Sequence, residues 1–226
     1  MKLSERYRPA LLSQVAGQRA VRVLQGFLLE PYPSCWLCDG PPGVGKTSTA
    51  FALANELGCE DEFSGREVVI GSELSVDAAR TLFKQTLRRT PLCPRRTPAW
   101  HCLVIEELEL VSAQCATFLK VAMETDLPAR CVVVATSNNT AKLPQALRER
   151  FTLLSFGSGE AFANEAQDVV AAIWDAETRG EPLPAGWQSW GWEEDSYSMR
   201  AALDAVQQEL LLKGARREQT HANAVA

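Results

Sequence analysis

An apolar segment at 34–38 runs into Gly40-Pro41-Pro42-Gly43-Val44-Gly45-Lys46-Thr47-Ser48, and apolar residues then recur at helical spacing at Ala50, Leu53, Ala54 and Leu57 before Gly58. Nothing else in the chain constrains its fold as tightly. Glycines so spaced let backbone N–H groups turn inward around an anion, while a lysine reaches the outer oxygens and the adjacent hydroxyl binds magnesium. A helix opening at the lysine adds the positive end of its dipole to the same anion. Strand, loop and helix together predict a phosphate loop lined by Gly40, Pro41, Pro42, Gly43, Val44, Gly45, Lys46, Thr47 and Ser48. Its expected ligands are ATP and Mg2+, with Lys46 on the terminal phosphates and Thr47 on the metal.

Segments rich in Val, Ile and Cys at 67–70, 101–105 and 131–135 join 34–38 as four expected strands, and helical patterns fall at 18–29, 46–57, 76–87 and 113–124. This alternation predicts an α/β core, a parallel sheet with helices on both faces. Residues 88–98, with three prolines and four arginines, form no regular element. After Phe156 the character changes. Gly157-Ser158-Gly159 punctuates the chain, and two apolar faces follow: Phe162, Ala166, Val169, Val170, Ile173 and Trp174, then Met199, Leu203, Val206 and Leu210. They predict helices only, hence a small all-α domain. Between them Trp187, Trp190 and Trp192 are expected to fill that domain's core rather than stack on bases. The expected organisation is a core at 1–156, a helical domain at 157–213 and a flexible polar tail at 214–226.

Composition narrows the classes. With 46 % hydrophobic and 23 % charged residues and no apolar run near the roughly 20 residues that span a bilayer, a membrane protein is not expected. The opening Met1-Lys2-Leu3-Ser4-Glu5-Arg6 has no apolar signal core, which predicts a cytoplasmic chain. A net charge of −5 argues against coating nucleic acid with the whole surface, yet permits a local basic lining. The seven cysteines read as buried small hydrophobes. Cys35-x-x-Cys38 has no second cysteine pair or paired histidines to complete a zinc site, His101 and His221 being the only histidines, so it is expected to be a buried strand.

Hydrolysis requires a carboxylate that orients the metal and another that activates water. Cys102-Leu103-Val104-Ile105-Glu106-Glu107 supplies both at a strand end. Successive strand residues point to opposite faces, so Glu106 is expected beside magnesium and Glu107 at the attacking water. The alternative is that 106–109 is an acidic helix start.

These residues carry a family resemblance over nearly the whole chain, to about Leu212. The chain resembles the clamp-loader ATPases of the AAA+ class, namely replication factor C small subunits and the bacterial polymerase III tau/gamma subunit. Glu5-Arg6-Tyr7-Arg8-Pro9 followed by Val15-Ala16-Gly17-Gln18 looks like the family's amino-terminal signature, which implies that Tyr7, Arg8, Pro9 and Val15 frame the adenine base. Residues 40–50 match its phosphate loop, and Ser75-Val76-Asp77-Ala78-Ala79-Arg80 is similar to the segment after its second strand, without the arginine-bearing extension. Met199-Arg200-Ala201-Ala202-Leu203 looks like the lid signature, implying a sensor 2 role for Arg200. The resemblance further implies that Asn138 is sensor 1, although the adjacent Asn139 or Asn138 itself can equally cap the following helix. Arg150, in Leu147-Arg148-Glu149-Arg150-Phe151, falls at the arginine-finger position, which implies an oligomer; a surface salt bridge is the plainer reading.

The chain departs from the family in four places. Glu106-Glu107 stands where Asp-Glu is usual, Glu149 and Phe151 flank the finger in place of serine and cysteine, only Cys59 lies where the tau/gamma zinc module would be, and no collar domain is expected after the lid. By the resemblance, Arg80, Lys84, Lys120 and Lys142 face a central chamber and touch DNA phosphates, contacts that are sequence-independent and salt-dependent. Each is equally a solvated surface charge, and Arg88, Arg89, Arg95 and Arg96 are read as an alternative basic patch or as an unpaired flexible loop. The expected function is a clamp-loader-like ATPase of DNA replication. Its expected partners are other AAA+ subunits in a homo- or hetero-oligomer, a sliding clamp, and primed or double-stranded DNA. The alternatives are a nucleotide-holding scaffold subunit that does not hydrolyse, and an AAA+ helper in recombination or transposition.

Overall fold

The structure is a computed structural model that describes residues 1–225, with side chains described through residue 213. Its helices are α1 (Leu3–Arg6), α2 (Arg19–Leu29), α3 (Lys46–Glu56), α4 (Val76–Lys84), α5 (Ala113–Thr125), α6 (Gln145–Arg148), α7 (Glu160–Thr178) and α8 (Met199–Val225). Its strands are β1 (Ser34–Asp39), β2 (Arg66–Ile70), β3 (His101–Glu106), β4 (Cys131–Ser137), β5 (Thr152–Ser155), β6 (Trp192–Glu193) and β7 (Ser196–Tyr197). The chain divides into two compact units, Pro9–Gly157 and a smaller one made of Met1–Arg8 with Ser158–Ala226. Residues 1–8, assigned to the core from sequence, thus cluster with the helical segment.

In the larger unit β1 to β5 form one parallel sheet in the order β2-β3-β4-β1-β5. Parallel strands need a connection long enough to return the chain to the same end of the sheet, and the helical segments between the strands supply it. Alternation sorts the side chains. Cys35, Leu37, Leu103, Ile105, Val133 and Ala135 share one buried face with Phe83 and Leu87, and with Cys115, Leu119 and Met123 of α5. On the opposite face Trp36 meets the ring of Phe27 of α2 at 5.3 Å, edge on. Each Leu, Ile, Val, Phe or Met side chain among them contributes about 1.5–3 kcal/mol when fully buried. Ser75 and Ser112 accept from Ala78 N–H at 3.1 Å and Cys115 N–H at 3.2 Å, which fixes where α4 and α5 begin.

Two expectations are corrected here. β5 has no counterpart in the sequence reading: it is four residues long and only Leu154 is buried, so it lacks an apolar run and exists by pairing with β1. In the smaller unit the segment after 156 is not helices only, because β6 and β7 form an antiparallel hairpin in which Trp192 pairs with Tyr197. Tyr197 is 1 % exposed, with Trp192 at 5.4 Å and Phe162 at 5.9 Å, so aromatic packing draws this loop into strands. Trp174 is likewise buried, donates to Glu181 O at 2.9 Å and packs on Trp190 at 5.9 Å. The tail expected at 214–226 lies outside the residues whose side chains are described; in the backbone α8 runs through to Val225. Among the described residues no helix is long and apolar enough to cross a membrane.

Candidate nucleotide site

The phosphate loop leaves the C-terminal end of β1 and turns into α3. Gly43 and Gly45 have φ of 80° and 92°, a left-handed backbone that a side chain would strain and that aims successive N–H groups to one side. Gly40 is needed for a different reason: a Cβ there would meet the carbonyl oxygen of Phe156. Among the described residues no side chain caps α3, and its first-turn N–H groups face the end of the helix where an anion binds. Val15 stands over the same turn, with its Cγ1 3.6 Å from where a Cβ on Gly45 would lie.

Lys46 is only 7 % exposed, and its ammonium donates to Gly40 O at 2.7 Å, Pro41 O at 2.7 Å and Asn138 Oδ1 at 2.9 Å. Parallel pairing explains the last contact. Asp39 is in register with Ser137, and Gly40 N–H donates to Ser137 O at 3.3 Å, so the residue after β4 falls beside the loop after β1. This geometry also separates the two asparagines: Asn139 caps its own 3-10 turn through Ala141 N–H at 3.1 Å, leaving Asn138 to reach Lys46.

Glu106 is the last residue of β3, in register with Ile70 of β2. Glu107 lies outside the strand at φ 54° and ψ 52°, so strand alternation does not govern its direction, contrary to the sequence argument. A left-handed non-glycine residue at such a point is stored strain, and two neighbours hold it: its N–H donates to Thr136 Oγ1 at 3.2 Å, and its carbonyl packs where a Cβ of Gly71 would otherwise sit. Residues 108–110 form a 3-10 turn rather than an acidic helix start. On that turn Glu109 accepts Asn138 N–H on Oε1 at 2.9 Å, a link without any signal in the local sequence. The oxygen donors suit a hard cation that retains waters and phosphate oxygens: the Thr47 hydroxyl and the Glu106 carboxylate are the residues that would hold magnesium. Gln18, the last residue of the amino-terminal signature, is 7 % exposed; its amide donates to Gly157 O at 2.9 Å and accepts Gly157 N–H at 3.1 Å, and also reaches Val44 O at 3.4 Å.

The remaining candidates lie on other elements. Arg150 is exposed and forms an ion pair with Glu124 of α5 at 2.8 Å. Arg80 pairs with Asp77 at 2.7 Å and lies 5.8 Å from the centre of the Phe118 ring; Lys84 is exposed on α4, Lys120 is half-buried on α5, and Lys142 is exposed on the 3-10 turn after β4. The arginine-rich loop is tied down: Arg88 donates to Phe83 O at 3.1 Å, Arg96 to Glu56 O at 2.6 Å, and Arg95 pairs with Glu60 at 3.4 Å. In the smaller unit Arg200 is exposed at the start of α8. Tyr7 donates to Glu177 Oε1 at 2.5 Å, and this bond, then burial, raises the phenol above its ordinary value. Arg8 belongs to the same unit, Pro9 to the larger one.

The model of the ATPase family associated with various cellular activities (AAA) matches residues 36–156, more than half of the 226-residue chain. The replication factor C small subunit of Methanocella arvoryzae is 30 % identical over 156 residues, covering 68 % of this chain and 47 % of that protein. That of Thermofilum pendens is 25 % identical over 209 residues, covering 90 % and 61 % respectively. The chain spans about half the length of the first curated relatives it matches. Among solved structures, a RuvB variant of Thermotoga maritima superposes with a TM-score of 0.68 at 20 % identity, covering 89 % of this chain and 64 % of that one. A DNA polymerase III gamma subunit-related protein of the same organism gives 0.56 at 15 %, covering 82 % and 57 %. These structural likenesses concern the fold.

Proposed function

Because the chain belongs to the ATPase family associated with various cellular activities, we propose that it is a clamp-loader-like subunit that binds and hydrolyses ATP within an oligomer of related subunits acting on DNA. The observation that carries the reading is the placement of Lys46 and Asn138, 92 positions apart in sequence, within 2.9 Å of each other at the mouth of the phosphate loop. A lysine held on two loop carbonyls and an asparagine is pre-oriented, so a terminal phosphate can take over its hydrogen bonds with little reorganisation.

The division of labour follows from position. The loop N–H groups and Lys46 bind and orient the phosphates. Asn138, released from Lys46, is free to hold the attacking water. Glu107 accepts a hydrogen bond from that water and draws off its proton as the bond to phosphorus forms, and the leaving ADP departs with the bridging oxygen. Magnesium bound by Thr47 and Glu106 would neutralise charge on the phosphate oxygens. Arg150 serves a neighbouring subunit's site once its pair with Glu124 is exchanged for phosphate, and Arg200 takes the sensor 2 role that the resemblance implies. Pro9 and Val15, of the larger unit, frame the base. Arg80, Lys84, Lys120 and Lys142 meet DNA phosphates. A sliding clamp is the expected target.

The test is ATP turnover with and without primed DNA, together with complex mass by light scattering in ATP. The proposal expects an oligomer and stimulated turnover; a monomer that binds nucleotide but stays inert alone and mixed with related subunits would sink it. A second reading, a nucleotide-holding scaffold that does not hydrolyse, draws support from Glu106, where the relatives of the resemblance carry the shorter aspartate.

A further inference from the structure

One carboxylate beside the phosphate loop has no part in this cycle. Glu109 lies two residues after Glu107, on the 3-10 turn that closes β3, and its Oε1 accepts Asn138 N–H at 2.9 Å. Among the described residues its Oε2 is buried without a hydrogen-bond partner, which makes this carboxylate costly for a purely structural clip. The turn is fastened to the end of β4 twice, since Glu107 N–H also donates to Thr136 Oγ1 at 3.2 Å. Two bonds, one in each direction, therefore tie residues 107–109 to residues 136–138. The Asn138 side chain is in turn bonded to Lys46.

We propose that Glu109 is a positioning residue that couples Asn138 to Glu107: what Asn138 senses at the phosphate end is passed through its own peptide N–H to the turn that aims Glu107. A charge-assisted hydrogen bond is stronger and more directional than a neutral one, so the peptide of Asn138 and the turn move as one body. When a terminal phosphate draws the Asn138 side chain away from Lys46, the shift reaches Glu107 within the same rigid link, and without that phosphate Glu107 stays in its left-handed resting position. The inference rests on the nucleotide reading given above, and it goes further by assigning the link between sensing and water activation.

The experiment compares wild type with Glu109→Ala, Glu109→Gln, Asn138→Ala and the double alanine variant. It measures turnover, KM, melting temperature, and the ratio of affinities for a slowly hydrolysed ATP analogue and ADP. Glu109→Ala is expected to lower kcat about tenfold or more while KM stays within about twofold, and to flatten the preference for the triphosphate analogue over ADP. Glu109→Gln, which keeps an acceptor for Asn138 N–H, should recover most of both losses. In the Asn138→Ala background the loss of Glu109 should add nothing further, as expected for one coupled unit. Unchanged kcat and unchanged discrimination in Glu109→Ala overturn the proposal. So does a parallel fall in kcat, KM and melting temperature that glutamine fails to rescue. Should the wild type bind nucleotide without turnover, hydrolysis fails as a reading while the discrimination ratio still decides the coupling; a wild type that does not discriminate overturns the coupling as well.

Discussion

The ammonium of Lys46 lies 2.9 Å from Oδ1 of Asn138, joining the loop after β1 to the end of β4. Lys46→Ala would strip the loop of its cation and leave Gly40 O and Pro41 O without this donor, so nucleotide binding measured with a fluorescent ADP analogue should be lost. Asn138→Ala should instead leave ADP affinity within a few-fold, because Lys46 keeps its two loop carbonyls, and cut turnover about a hundredfold, because the terminal phosphate loses its partner. Equal losses of ADP affinity in the two variants would refute this division.

Gly71 marks a second constraint. A Cβ there would run into the carbonyl of Glu107 and approach that of Glu106 to 3.3 Å. Gly71→Ala is expected to destabilise the protein by about 1–3 kcal/mol in urea titration and to lower turnover by displacing the turn that carries Glu107. A variant that is fully active and equally stable would show that the turn does not need this approach.

Glu106→Asp separates the motor from the scaffold reading. If the longer side chain slows hydrolysis by shifting the metal, the aspartate variant should turn over ATP several-fold faster with ADP affinity unchanged. No gain in a steady-state assay would count against Glu106 as the cause of a slow or inert site.

The pair between Arg150 and Glu124 is half exposed on both sides, and such pairs contribute about 0–1 kcal/mol. Glu124→Ala should therefore leave the melting temperature nearly unchanged. Arg150→Ala should leave nucleotide binding intact and reduce turnover of the assembled complex about a thousandfold, the scale seen when an arginine finger is removed. Full turnover in the Arg150→Ala assembly would return that residue to the role of a surface charge.

Cysteine chemistry reports on the fold itself. Cys93 is the exposed thiol, whereas burial pushes Cys35, Cys38 and Cys59 up to about 12 and also raises Cys102, Cys115 and Cys131. Native alkylation at pH 8 should add one label by mass, and all seven in denaturant. Because the folded-state values lie above those of the unfolded chain, the buried thiols contribute stability that is fully present below the ordinary thiol value of 9.0 and is lost as pH rises toward 12. Melting temperature should fall between pH 9 and 11, and a cysteine-to-alanine variant at Cys38 should flatten that fall. The sequence pair Cys35-x-x-Cys38 sits on one strand with an odd offset, so its two side chains face opposite sides of the sheet.

The phosphate loop was legible because its parts are contiguous: strand, glycines, lysine and helix lie within 34–57, and their chemistry is local. The four longer strands were legible for the same reason, each carrying its own apolar run. β5, the hairpin of β6 and β7, and the grouping of residues 1–8 with the helical unit were not, since pairing partners and aromatic neighbours far away in sequence stabilise them. Asn138 and Asn139 are chemically identical side by side, and the register of β4 against β1 is what brings one to Lys46 and leaves the other as a cap. Glu107 shows the same limit from the other side: its position after a strand is local, but its left-handed backbone depends on Thr136 and Gly71. Sequence by itself determined which atoms can meet a phosphate; tertiary structure decided which distant carboxylate and amide are bonded to each other, because those bonds are set by strand register and not by neighbours in the chain.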